Sequence, residues 1–299
     1  MRVHTSSTCL EHHPGPDHPD QPRRLSAVLD ALRSAPDITL VESKPALIED
    51  ALCCHDSAYL HRAASLSQAG GGELGADTTL SSNSWSAVLA ATGAVLGTLD
   101  HSLNTGEHGF AAIRPPGHHA LHDRAMGFCV INHVAVAAAV ARRCGRERVL
   151  IVDWDVHHGN GTQALVEHEP KTRFVSMHQW PWYPGTGAAN ERGVRNCFNL
   201  PMAPNLPPTA YVETLWRGIE LATTNWSPDV VLVSAGYDAM LGDPLGGFTL
   251  EPEHFAIWVR RMRERFADTP IVGLMEGGYA PARLAAGVVA TVGALAASS

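Results

Sequence analysis

No CxxC pair occurs in this 299-residue sequence, and its only adjacent cysteines, Cys53 and Cys54, have poor disulfide geometry. With Cys9, Cys129, Cys144 and Cys197, they read as reduced thiols of a cytoplasmic protein. Basic charge is also short. Lys and Arg total 22 against 30 Asp and Glu, a formal charge of −8. No surplus is left to displace counterions from phosphates, so nucleic acid is not an expected partner. Apolar runs are interrupted by charge or proline before they could span a bilayer, apart from the Ala-rich stretch 284–297. That stretch is short and suits a packed helix, so no membrane partner is expected. The opening, Met1-Arg2-Val3-His4-Thr5, reaches His12, His13 and Asp17 without an apolar segment, and no signal peptide is expected. There is no internal repeat and no linker, which predicts one domain over 1–299.

What is present is an alternation of strand and helix patterns. Four apolar runs, 109–113, 149–152, 230–233 and 271–274, read as strands buried on both faces of a parallel sheet. A fifth strand is expected at 173–177. Helical patterns cover 84–99, 129–143, 210–223 and 252–266. The alternation predicts a doubly wound α/β fold, in which ligands bind beyond the carboxyl ends of the strands. Each of the four runs ends in a polar cluster, so separate stretches of chain are expected to meet in one crevice.

The richest cluster is Asp153-Trp154-Asp155-Val156-His157-His158-Gly159-Asn160-Gly161. Strand periodicity points Asp153, Asp155 and His157 the same way, and carboxylate and imidazole are ordinary zinc ligands. Alone, such residues could equally bond a loop or cap a helix. In the stretch 234–244, Asp243 could supply a third ligand, although Gly242-Asp243-Pro244 by itself is a turn signature. Three protein ligands would leave room for water and a carbonyl oxygen, as in catalytic zinc sites. His118-His119 follows a rigid Pro-Pro-Gly turn, where a neutral imidazole can shuttle a proton. His12-His13, in a Pro- and Asp-rich leader, reads as incidental. After the last strand, Glu276-Gly277-Gly278-Tyr279 can bring a phenol to a developing oxyanion.

These motifs together resemble the histone deacetylase family, with its acetylpolyamine amidohydrolases and acetoin-utilisation proteins. The resemblance starts at His18-Pro19-Asp20-Gln21-Pro22-Arg23-Arg24-Leu25 and continues through Asp77-Thr78, Arg114–Ala120, Gly127-Phe128-Cys129 and Asp153–Thr162. It ends with Tyr183–Gly187, Gly242-Asp243-Pro244 and Glu276–Tyr279. The resemblance implies an arginase/deacetylase-like three-layer α/β/α sandwich around a mostly parallel sheet. It implies one zinc ion on Asp155, His157 and Asp243, with His119 as general base and then acid. His118 would be oriented by Asp153, His119 by Asn160, and Tyr279 would polarise the carbonyl. Gly127, Phe128 and Tyr183 would line a narrow tunnel. A structural K+ or Na+ would sit at Asp153, Asp155, His157, Ser176 and Met177. The implied activity is removal of an acetyl or short acyl group from an amine such as a lysine side chain.

Asn160, Glu276 and the Asp-Pro-Leu-Gly-Gly at 243–247 resemble class II members. A neutral Asn160 predicts that His119 is harder to protonate than beside a carboxylate. Asn132-His133 and the stretch 201–208 depart from the common pattern, which leaves the outer pocket open. Other readings are an acetylpolyamine or small-metabolite amide deacetylase, a two-manganese arginase and a silent acyl-binding module. Polyamine-selective relatives can carry an acidic residue seven positions past the last zinc ligand; counted from Asp243 this is Leu250, which disfavours polyamines. Gly159 stands where an arginase needs a further carboxylate. All the catalytic side chains named above are present, against the silent module.

Overall fold

The apolar runs become strands because a β-rich segment buried on both faces can satisfy its backbone only in a ladder. The computed structural model describes residues 1–297. In chain order the strands are β1 Arg2–Thr5, β2 Thr39–Glu42, β3 Gly71–Gly75, β4 Thr78–Ser81 and β5 Gly109–Ala111. They continue with β6 Val149–Asp153, β7 Thr172–Gln179, β8 Cys197–Met202, β9 Val230–Ala235 and β10 Ile271–Met275. Eight form one sheet in the order β2-β1-β5-β10-β9-β6-β7-β8, while β3 and β4 pair separately. All pairs in the large sheet are parallel.

The helices fall into two contact groups. Pro22–Arg33, Pro281–Ala296, Pro252–Arg265 and Pro208–Ala222 form one chain of neighbours; Ser57–Gln68, Ser84–Thr105, His133–Arg143 and Asn160–Val166 form the other. With the sheet they make the three-layer α/β/α sandwich of the arginase/deacetylase fold. β5, β10, β9 and β6 are consecutive in the sheet, so the four polar clusters leave it side by side.

Three local expectations change. The helix expected from Cys129 begins at His133, because Asn132 caps it by accepting the Ala135 N–H, and the preceding Gly127 and Phe128 have positive φ. Its apolar start is therefore a buried loop. β6 ends at Asp153, so Asp155 and His157 are not strand residues. They converge through Asp155 N donating to Asp153 Oδ1 at 3.1 Å and His157 N to Asp155 Oδ1 at 2.9 Å. His12 is not incidental: it is buried, with Nδ1 2.6 Å from Ser84 Oγ and Nε2 3.6 Å from Asp20.

Trp154 fixes the direction of this turn. It is fully buried and stacks on Trp258 with ring centres 5.6 Å apart, 5.8 Å from Phe255. Truncating such an indole costs about 3–5 kcal/mol, which anchors the aspartates on either side of it.

Candidate active site

Asp155, His157 and Asp238 offer ligand atoms that all lie within 4.8 Å of one another, and all three are buried. His157 Nδ1 is 3.0 Å from Asp155 Oδ1 and 3.2 Å from Asp238 Oδ2. Burial opposes a charge on His157, yet the two carboxylates outweigh it and push the imidazole up to about 10. Asp238 is pushed up to about 7, by burial and then by Asp155. Two acids crowded on one imidazole are a set that a dication would relieve.

Asp238, which the sequence motifs did not single out, completes this cluster; Asp243, expected as the third ligand, lies in the turn that follows it. The Asp243 carboxylate accepts two backbone donors, Tyr279 N at Oδ2 at 2.7 Å and Leu245 N at Oδ1 at 2.9 Å, as Asp155 accepts His157 N and Gly277 N, and each keeps lone pairs for a metal. Asp243 also anchors the loop of the phenol. Asp238 could have been found in sequence by its place three residues past the end of β9, where parallel sheets present ligands; Asp243 belongs to the turn beyond. Leu245 lines the pocket. Leu250 lies away from it, fully buried and bridged to Met240.

The two histidines after β5 lie in different electrostatic settings. His118 Nδ1 is 2.9 Å from Asp153 Oδ2. Burial would lower it, but Asp155 and Asp153 hold it well above the ordinary value. His119 Nδ1 is 2.7 Å from Asn160 Oδ1. Burial, then His118 and His157, hold His119 well below the ordinary value, so it stands neutral. Asp153 pairs in register with Ser176 of β7, and Ser176 and Met177 are fully buried.

A cavity of about 270 Å³ opens onto this group. His119, His157 and Tyr279 form its floor, and Gly127, Phe128, Asp77, Trp182, Tyr183, Pro244 and Leu245 line the rest. Tyr183 stands perpendicular to His119 at 5.2 Å, and Phe128 edge-on to Tyr279 at 5.8 Å. Asp77, unassigned on sequence grounds beyond its motif, joins the walls: Oδ1 accepts Gly127 N at 2.9 Å and Oδ2 accepts the Tyr183 hydroxyl at 2.7 Å. Two glycines make the floor possible. A Cβ at Gly236 would strike the Asp155 carboxylate, and one at Gly277 the Asp238 carboxylate.

A parallel α/β/α sandwich with acids and imidazoles at the base of an apolar cleft defines a deacetylase-type hydrolase scaffold. The chain belongs to the histone deacetylase family: residues 18–295 match the histone deacetylase domain. It is 37% identical over 276 residues to the histone deacetylase-like amidohydrolase of Pseudomonas aeruginosa, covering 89% of this chain and 73% of that protein. A probable deacetylase of Archaeoglobus fulgidus is 34% identical over 283 residues, covering 90% and 79%. The solved HD domain of HDA15 superposes with a TM-score of 0.93 at 32% identity, over 99% of this chain and 90% of that one.

Proposed function

We propose that this chain is a zinc-dependent deacetylase that removes an acetyl or short acyl group from an amine such as the lysine side chain. The observation that carries the reading is the buried Asp155–His157–Asp238 cluster against an apolar cleft that His157 lines, with Asp243 in the following turn as the third ligand that the family resemblance implies. Two carboxylates and one imidazole are a zinc donor set that leaves positions open. Zinc held there lowers the pKa of a water towards about 7 and polarises an acyl oxygen.

The chain's own groups divide the remaining work. Neutral His119 takes the proton of the attacking water at Nε2, since Nδ1 is engaged by Asn160. The same nitrogen then returns the proton to the leaving amine. His118, charged beside Asp153, offsets negative charge as it develops. The Tyr279 hydroxyl donates to the oxyanion, and Phe128 and Tyr183 hold the alkyl stem between them. The proposed monovalent cation takes Asp153, Asp155, His157, Ser176 and Met177, all buried, with Asp153 at the end of β6 and Ser176 and Met177 within β7. Leu245 gives the mouth no charge to hold a second ammonium, which favours acyl-lysine over acetylpolyamine.

The test is acetate release from acetyl-lysine peptide and acetylspermidine by chelator-stripped and zinc-reloaded protein. Turnover restored by zinc and higher on the peptide is expected; equal turnover with and without metal would remove the reading.

A further inference from the structure

We propose that Glu276 is the positioning residue that holds the His118–His119 turn against the loop carrying Tyr279. The general base and the phenol come from segments that leave adjacent strands, β5 and β10. Beyond the strand ends no ladder bonds fix one segment relative to the other. Glu276 crosses that gap. Its Oε2 accepts two consecutive backbone donors, Gly117 N at 2.6 Å and His118 N at 3.2 Å. Its Oε1 accepts the Ser234 hydroxyl of β9 at 3.1 Å.

The backbone of the same residue is tied on its other side. Its N–H donates to Ala235 O at 3.0 Å, and its carbonyl accepts Arg24 Nη2 at 2.6 Å. Arg24 Nε goes on to Gly278 O at 2.5 Å, and its guanidinium lies 4.7 Å over the Tyr279 ring. Glu276 is fully buried and does not line the cleft, so it cannot meet the substrate. A carboxyl group is costly to bury, and packing alone would be served as well by an apolar side chain. What an apolar side chain lacks is an acceptor of the right reach for two turn N–H groups. Catalysis depends on that reach, because a displacement of about 1 Å between reacting groups can cost a hundredfold in rate.

The inference rests on the deacetylase reading, and zinc-reloaded full-length chain tests it. In E276Q the amide oxygen accepts the same two N–H groups, and kcat is expected within about threefold of wild type. E276D is too short to reach Gly117, and E276A has no acceptor. Both are expected to lose roughly ten- to hundredfold in kcat, with KM and zinc content moving less than about twofold. Wild-type kcat in E276D or E276A overturns the proposal, as does a loss confined to KM or zinc content. If E276A does not fold, the Gln and Asp variants still decide: equal kcat in the two overturns it. An inactive wild-type chain overturns the deacetylase reading itself, whereas an active wild type with an equally active E276D removes only the role of Glu276.

Discussion

Asp238 Oδ2 stands 3.2 Å from His157 Nδ1, and the two residues reach each other from neighbouring strands, β9 and β6. D238N is expected to weaken zinc retention by about a hundredfold or more. D243A is expected to weaken it as well, as the ligand that the family resemblance implies, and to lose about tenfold or more in kcat, because the Tyr279 N–H also loses its acceptor. Zinc content after dialysis, read beside kcat, checks both; a D243A protein that keeps its zinc would leave Asp238 as the third ligand.

In the proposed mechanism Tyr279 donates to the oxyanion and not to the ground-state substrate. Y279F is expected to lower kcat by about 10²–10³ with little change in KM. A change confined to KM would make the phenol a binding group.

The pH profile follows from His119. As the proposed general base it acts in its neutral form; burial, then His118 and His157, depresses its pKa, so the acid limb of activity is expected below the ordinary histidine range. In N160D a carboxylate beside Nδ1 favours the protonated form, and the acid limb is expected to move to higher pH. An unmoved limb in kcat against pH would show that His119 does not govern it.

At the cleft mouth, L245E places a carboxylate where a second ammonium of a polyamine would pass. The ratio of kcat/KM for acetylspermidine to that for acetyl-lysine peptide is expected to rise about tenfold. No change in that ratio would mean that the mouth does not select by charge.

His133 is fully buried between Thr92 Oγ1 at 3.0 Å and Pro115 O at 3.3 Å, and burial lowers it to about 3. Its unfolded value is about 6.5. The unfolded chain therefore takes up this proton first: the stability contribution is complete above about pH 6.5 and is lost as pH falls towards 3. H133N is expected to show a shallower fall in melting temperature between about pH 6.5 and 4.5 than wild type. Parallel curves for the two proteins would refute it.

Much of this arrangement was legible before the fold. The runs at 149–152, 230–233 and 271–274 are long enough in β-branched residues to declare buried parallel strands, and each lies within an observed strand. β1, β2 and β8 were not legible. β1 and β2 have only four residues each, and β2 and β8 are the edge strands of the sheet, where partial exposure weakens the apolar pattern. The start of the helix at 133 was hidden for a different reason: Cys129, Val130 and Ile131 are apolar because they are buried, not because they are helical.

Local sequence determined the strands, the His118-His119 turn, the aspartates at 153 and 155 and the family to which the chain belongs. Each of these depends on neighbouring residues, or on motifs in a fixed order. Only the tertiary structure brought Asp238 to His157, put Leu245 on the cleft and Leu250 in the core, made His12 part of the core and bound Glu276 to Gly117 and His118. Those relations join atoms across parallel strands, and the chain order carries no measure of the distance between one strand end and the next.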